Sequence, residues 1–158
     1  MLPCLIFEDE HLLVVNKPAG MNTHAPSPYA GEGLYDWLRQ REPRWASLAI
    51  IHRLDKETSG VMVFSKTRLA NRSLTEQFTR RAVVKKYVLL TDRRVPRGSF
   101  AVRGKLARVG VRYATVGPSL KGEDAETRFL AKGPEAGFPG ATRVEALPLS
   151  GRTHQIRV

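Results

Sequence analysis

The nine residues His52 to Gly60, HRLDKETSG, bring together a ring nitrogen, a guanidinium, a carboxylate and two hydroxyls, and close on a glycine. Apolar runs flank them, Leu48 to Ile51 before and Val61 to Phe64 after, which places Asp55 in a turn between two buried segments. A carboxylate held in such a turn can be aimed, as a nucleophile or as a base. The same residues also read as a polar connection in which Asp55 pairs locally with Arg53 or Lys56, and residue types alone leave both readings open. A third assembly, His24, His52, Asp55 and His154 as metal ligands, uses plausible donors at a spacing that matches no metal motif. Sensitivity to EDTA separates it from the other two.

The stretch resembles the HRLDxxTSG signature of the RluA-type pseudouridine synthases, matched at every fixed position. Three further pieces follow the order of that family: VVNKPAGM at Val14 to Met21, KKYVLL at Lys85 to Leu90 and GRTHQIRV at Gly151 to Val158. The resemblance spans almost the whole chain. It implies isomerisation of selected uridines in structured RNA, ribosomal or transfer, to pseudouridine. No metal and no cofactor is implied.

That reaction breaks the bond between uracil N1 and ribose C1′, turns the base in its pocket and rejoins it through C5. By resemblance Asp55 is the catalytic carboxylate, attacking the sugar or assisting proton removal from it. Burial disfavours a charged carboxylate, and that is what has to be countered. Arg157 resembles the cation that pairs with it, and Tyr87 the tyrosine that lies against the base and helps remove the C5 proton. Arg53 resembles the residue that fills the gap in the RNA stack or holds a neighbouring phosphate. Extruding a uridine costs a few kcal/mol, which phosphate contacts must offset. Asn16 and Lys17, read in an NKPAG loop, are expected at the pocket rim, and His52, Thr58 and Ser59 are expected to shape the turn that carries Asp55.

Charge points to the same class of partner. Between Lys66 and Arg112 stand 14 Lys and Arg against two acids, Glu76 and Asp92, whereas the rest of the chain has 12 basic and 13 acidic residues. The formal +11 is therefore one contiguous block, the electrostatic footprint of a polyanion ligand. Arg68, Arg72, Arg80 and Arg81 are the cations expected to meet phosphate. A noncatalytic RNA-binding module is the competing class; an anionic membrane fits less well, because the window lacks one long basic amphipathic helix.

The elements that must position these residues read as mixed α and β. Leu12 to Val15 is an apolar strand running into a Pro-Gly turn. Leu34, Trp37, Leu38 and Arg41 have helical spacing that stops before Pro43, with Trp37 placed in the core. Val61 to Phe64 reads as a buried strand, followed by a helix capped by Ser65 or Thr67 and running to about Arg80, with Ala70, Leu74, Gln77 and Phe78 on its inner face. Strands are expected at 83–90, 100–109, 111–116, 126–131 and 143–149, separated by glycine and proline turns, an antiparallel meander more than βαβ units. With the resemblance, this gives an α+β fold: a central, mostly antiparallel mixed sheet with flanking helices.

A hydrophobic content of 42% over 158 residues suits one globular domain, here a catalytic domain over 1–158 that ends inside the last family motif and carries no preceding S4-type RNA-binding domain. No run approaches the ~18–20 apolar residues of a membrane span, and the first residues do not form a signal segment, so a cytoplasmic protein is expected, a monomer without an obligate protein partner. The single cysteine, Cys4, has no partner for a disulfide or a zinc site and is expected to pack as a small apolar residue.

Overall fold

A computed structural model describes residues 4–27 and 33–158. The chain divides into two compact units, Met1–Ala82 and Val83–Val158.

The first unit is built on a four-stranded sheet of order β1-β2-β4-β3, from β1 (Cys4–Glu8), β2 (Leu12–Lys17), β3 (Ala49–Ile50) and β4 (Gly60–Ser65). Every ladder in it is antiparallel. Asp9 makes the first hairpin, its Oδ1 accepting the backbone N–H groups of His11 and Leu12 at 2.7 Å each. Strand alternation then sorts the side chains: Leu13 and Val15 lie opposite Phe64 and Met62, and all four are at most 1% exposed. Helix α1 (Leu34–Arg41) buries Leu34 and Leu38 and sets Tyr35 against Phe64, ring centroids 6.4 Å apart. Helix α2 (Arg68–Thr79) reaches the other face, since Asn71 Nδ2 donates to Ser65 Oγ, the residue after Phe64. Thr67 caps α2 by accepting from the Ala70 N–H at 3.3 Å.

In the second unit β5 (Tyr87–Thr91), β6 (Ser99–Val109), β7 (Arg112–Val116), β8 (Glu123–Pro134) and β9 (Thr142–Pro148) form a five-stranded sheet of order β5-β9-β8-β6-β7, again all antiparallel. Register puts Tyr87, Leu89, Phe129, Val144 and Ala146 on one face and Arg103, Glu126, Arg128, Arg143 and Glu145 on the other. Phe100 stacks on Phe129 on the apolar side at 5.2 Å. On the charged side Glu126 pairs with Arg103 at 3.1 Å, and Glu145 with Lys86 and Lys132 at 3.0 and 3.3 Å.

The α+β class and the antiparallel pairing hold, but the second sheet is not a meander: β5 lies beside β9, and β7 and β8 lie on opposite sides of β6. Where one mixed sheet was expected, the described residues form two sheets with only antiparallel ladders, because strands that run the same way, β2 with β3 and β7 with β8, are kept apart by an opposed strand, β4 or β6. The strand expected from 83 begins at Tyr87, with Val84 exposed at 81%. Strand β1 was not foreseen, and Cys4 on it is exposed rather than packed, since β1 is an edge strand with little against it. Trp37 is half-buried under the Arg41 guanidinium; the buried tryptophan is Trp45, whose Nε1 donates to Glu8 Oε1 at 2.9 Å. Gln77 is exposed rather than turned inward and bonds Ser73.

Candidate active site

Asp55 sits half-buried in the loop 51–59 that joins β3 to β4. The peptide groups on both sides of it are pinned. Before it, Thr23 Oγ1 donates to the Leu54 carbonyl at 2.9 Å and accepts the Leu54 N–H at 3.1 Å. After it, the Lys56 carbonyl accepts from the Gly20 N–H at 2.9 Å and from Lys17 Nζ at 3.0 Å. A turn closed by Thr58 N–H to the Asp55 carbonyl completes the loop. His52, which opens the motif, stacks on Phe78 at 5.0 Å and accepts the Val63 N–H at its Nε2; it shapes the turn, as its position in the motif suggested.

Thr23 is held in turn by α1. The N–H groups of Leu34 and Tyr35 donate to the carbonyls of Asn22 and Thr23 at 2.8 and 2.9 Å, so donors that a helix start leaves unused fix the loop. Asp36 adds bonds to the N–H groups of Ala25 and Gly33. Gly33 is required here, because a Cβ on it would come within 2.3 Å of the His24 backbone. Between this loop and the motif lies an open cleft of about 260 Å³, lined by Asn22, Thr23, His24, Pro26, Arg53, Leu54 and Lys56. Arg53 is exposed on its wall.

Lys17 and Asn16 do not share a rim. Strand β2 continues through Lys17, so the two consecutive side chains point to opposite faces, and Asn16 is exposed while Lys17 is 0% exposed. Lys17 Nζ donates to the carbonyls of Pro18, Met21 and Lys56 at 2.9, 2.7 and 3.0 Å. Burial pushes its pKa down, opposed by the carboxylates of Glu57 and Asp55. Three carbonyl acceptors call for all three ammonium protons, so the cation is a clamp under the Asp55 loop rather than a hand toward RNA.

Tyr87 and Arg157 belong to the second unit. Tyr87 opens β5, half-buried and opposite Ala146 on the apolar face. The GRTHQIRV segment is stapled to β8 by Gln155, whose amide donates to the Glu126 carbonyl and Thr127 Oγ1 at 3.0 and 2.9 Å. Its Oε1 accepts from Ser150 Oγ and the Arg152 N–H. Lys85 ties the segment to the start of β5 through the Ser150 carbonyl at 2.9 Å. Arg157 is exposed.

The cationic helix is as exposed as the sequence suggested. Arg68, Arg72, Arg80 and Arg81 are all open to solvent, although Arg80 is held by Glu76 at 2.7 Å. Among the described residues no three His, Cys, Asp or Glu side chains are grouped to hold a metal. Thr23 and Gln155 were missed by sequence reasoning. Neither stands in a pattern that marks a clamp; both reveal themselves only by partners about thirty positions away.

The RNA pseudouridylate synthase family matches residues 11–158. The chain belongs to that family. Ribosomal large subunit pseudouridine synthase C of Yersinia pestis is 40% identical over 98% of the chain, and its Escherichia coli K12 counterpart is 37% identical over the same share. The chain spans about half the length of these curated relatives, 48% in both cases. Solved human family members agree in fold: RNA pseudouridylate synthase domain containing 1 superposes with a TM-score of 0.81 at 25% identity over 99% of the chain and 63% of its own. Domain containing 4 gives 0.74 at 26% over 98% and 62%. As a member of the family, this chain carries the aspartate motif on a loop fixed at both adjoining peptides. No helix among the described residues is long and apolar enough to cross a membrane.

Proposed function

We propose that the protein isomerises specific uridines of large-subunit ribosomal RNA to pseudouridine, with Asp55 as the catalytic carboxylate. The bracketed Asp55 loop carries the reading: Thr23 on one side and Lys17 with Gly20 on the other hold the motif's only aspartate in one place. A carboxylate fixed in this way meets the ribose without reorganising, the geometric condition for an effective nucleophile or base. The ribosomal target follows from the relatives, which are named for the large subunit.

In this reading Asp55 assists cleavage of the N1–C1′ bond, the freed base turns, C5 bonds to C1′, and the C5 proton leaves as N1 gains one. Tyr87 lies against the base and assists that proton transfer, and Arg157 supplies the counter-charge to Asp55. Arg53, on the wall of the cleft, occupies the place vacated by the flipped nucleotide or holds the phosphate beside it. Arg68, Arg72 and Arg81 meet the RNA backbone. Asn16 is left as an exposed polar group on the far face of β2 and Lys17 as a support. The enzyme acts in the cytoplasm, as a monomer.

The decisive experiment maps pseudouridine in ribosomal RNA with and without the protein and repeats the assay with Asp55→Asn. The amide keeps the shape but cannot act as nucleophile or base, so product should vanish while RNA affinity stays within a few-fold. A folded Asp55→Asn protein that still makes pseudouridine would refute the assignment. Binding without product from the unaltered protein would favour the noncatalytic RNA-binding class.

A further inference from the structure

The C-terminus of α2 holds an arginine where the backbone asks for glycine. The N–H of Arg81 bonds the Phe78 carbonyl at 3.1 Å and that of Ala82 bonds the Gln77 carbonyl at 2.9 Å. This is the paired closure of a Schellman motif, in which the residue after the C-cap turns left-handed. That residue is Arg81, with φ of 58°. A side chain disfavours this region because Cβ crowds the following carbonyl; glycine has no such conflict, and asparagine is the usual second choice. The chain supplies glycine at seven other described positions of positive φ and departs from it only at Arg81 and His154.

No acidic side chain gives a structural reason for the exception. Glu76, the single acid of α2, is taken by Arg80. Arg81 is exposed and forms no ion pair among the described residues, and the same holds for Arg68 and Arg72 on the helix before it. A free guanidinium at a strained turn, continuing a row of free guanidiniums, presents five donors in a fork that fits a phosphodiester.

We propose that Arg81 is a phosphate-binding residue for the RNA backbone, retained at a glycine position at the expense of fold stability. The proposal rests on the RNA-modifying function proposed above and deepens it by making the phosphate contact the reason that an arginine stands at this left-handed position. It makes two measurements move in opposite directions for one substitution. Arg81→Gly should raise the thermal midpoint by about 2–4 °C, the shift expected when backbone strain of this size is relieved in a chain of this length. The same variant should bind a large-subunit ribosomal RNA fragment about five-fold more weakly at ~0.1 M salt, the value of one released counterion, and its plot of log affinity against log salt should be shallower by about 0.7. Arg81→Lys should keep the parental slope and midpoint.

In turnover with the same fragment, the loss on Arg81→Gly should fall on KM rather than kcat. A higher midpoint with unchanged affinity and slope would overturn the proposal, because the arginine would then serve no ligand. A lower midpoint would overturn it too, by showing that the side chain stabilises the negative end of the helix. Pseudouridine formation by the unaltered protein is read separately. No product there, together with weaker binding by Arg81→Gly, sinks the isomerase reading and leaves the phosphate contact standing; normal product with unchanged KM does the reverse.

Discussion

The first unit buries Leu13, Leu34, Met62 and Phe64 to 0% exposure and holds ten of the thirteen buried hydrophobic residues among those described; the second buries only Leu106, Val144 and Ala146. The difference follows from covering. Two helices flank the first sheet, and a strand residue under a helix loses its water on that side. In the second unit the described residues form strands and turns only, and its charged face is held by Arg103–Glu126 and the two lysines on Glu145. Surface pairs of this kind are individually weak, so the backbone ladders carry more of that unit. Asp55, the proposed catalytic carboxylate, is thus mounted on the densely packed unit, and Tyr87 and Arg157, proposed to assist it, on the unit stapled by hydrogen bonds.

Paired truncations test this contrast most strongly. Phe64→Ala should cost about 3–5 kcal/mol, the range for removing a buried aromatic, and should unfold the first unit at ordinary temperature or bring it close. Val144→Ala removes two methyl groups' worth of burial and should cost about 1.5 kcal/mol. Both are read from chemical denaturation, and equal losses would show that the covering helices do not set the difference between the units.

The next largest effect concerns the clamp beneath Asp55. Lys17→Met keeps the length of the side chain but strands the Pro18 and Met21 carbonyls and leaves the Lys56 carbonyl with the Gly20 N–H alone, and an unsatisfied buried acceptor costs about 1–3 kcal/mol. The local signature is faster hydrogen exchange at Gly20 and Thr58, whose N–H groups close the same loop. Unchanged exchange there would show that Thr23 alone fixes the loop.

The smallest effect is electrostatic and runs the same way with pH in both units. Lys66 and then Trp45 hold the Glu8 carboxyl below its ordinary 4.5, and Lys86 does the same for Glu145 with Lys132 in support. A depressed carboxylate stabilises the fold fully above its unfolded pKa and loses that contribution as pH falls through the folded value, so the loss begins below about pH 4.5. Glu8→Gln and Glu145→Gln should each flatten the fall of the thermal midpoint between about pH 5 and pH 3. Parallel curves for parent and variants would show that neither pair contributes.

Much of this architecture was legible in local pattern. The apolar run from Leu12 to Val15, the helical spacing from Leu34, the Thr67 cap and the glycine turns between strands are short-range signals, and each corresponds to an element of the structure. The HRLDKETSG motif and the basic block likewise stand in the sequence as contiguous runs, which is why the family and the aspartate could be read from it. Boundaries were less legible: β2 runs through Lys17 because pairing with Gly60 continues the ladder past the point where Pro18 suggested a loop.

What the sequence determined by itself is therefore what chemistry the chain carries and in what order. Only the tertiary structure decided what each polar group does. Lys17, a surface residue by type, becomes a buried clamp because strand alternation turns it inward beside three carbonyls. Thr23 and Gln155 become the residues that hold two motifs in place, and Arg80 and Arg81, adjacent and alike, part into one paired cation and one free one. A hydrogen bond between residues thirty positions apart leaves no periodic trace along the chain. It exists only once burial has removed water as the competing partner and folding has brought donor to acceptor.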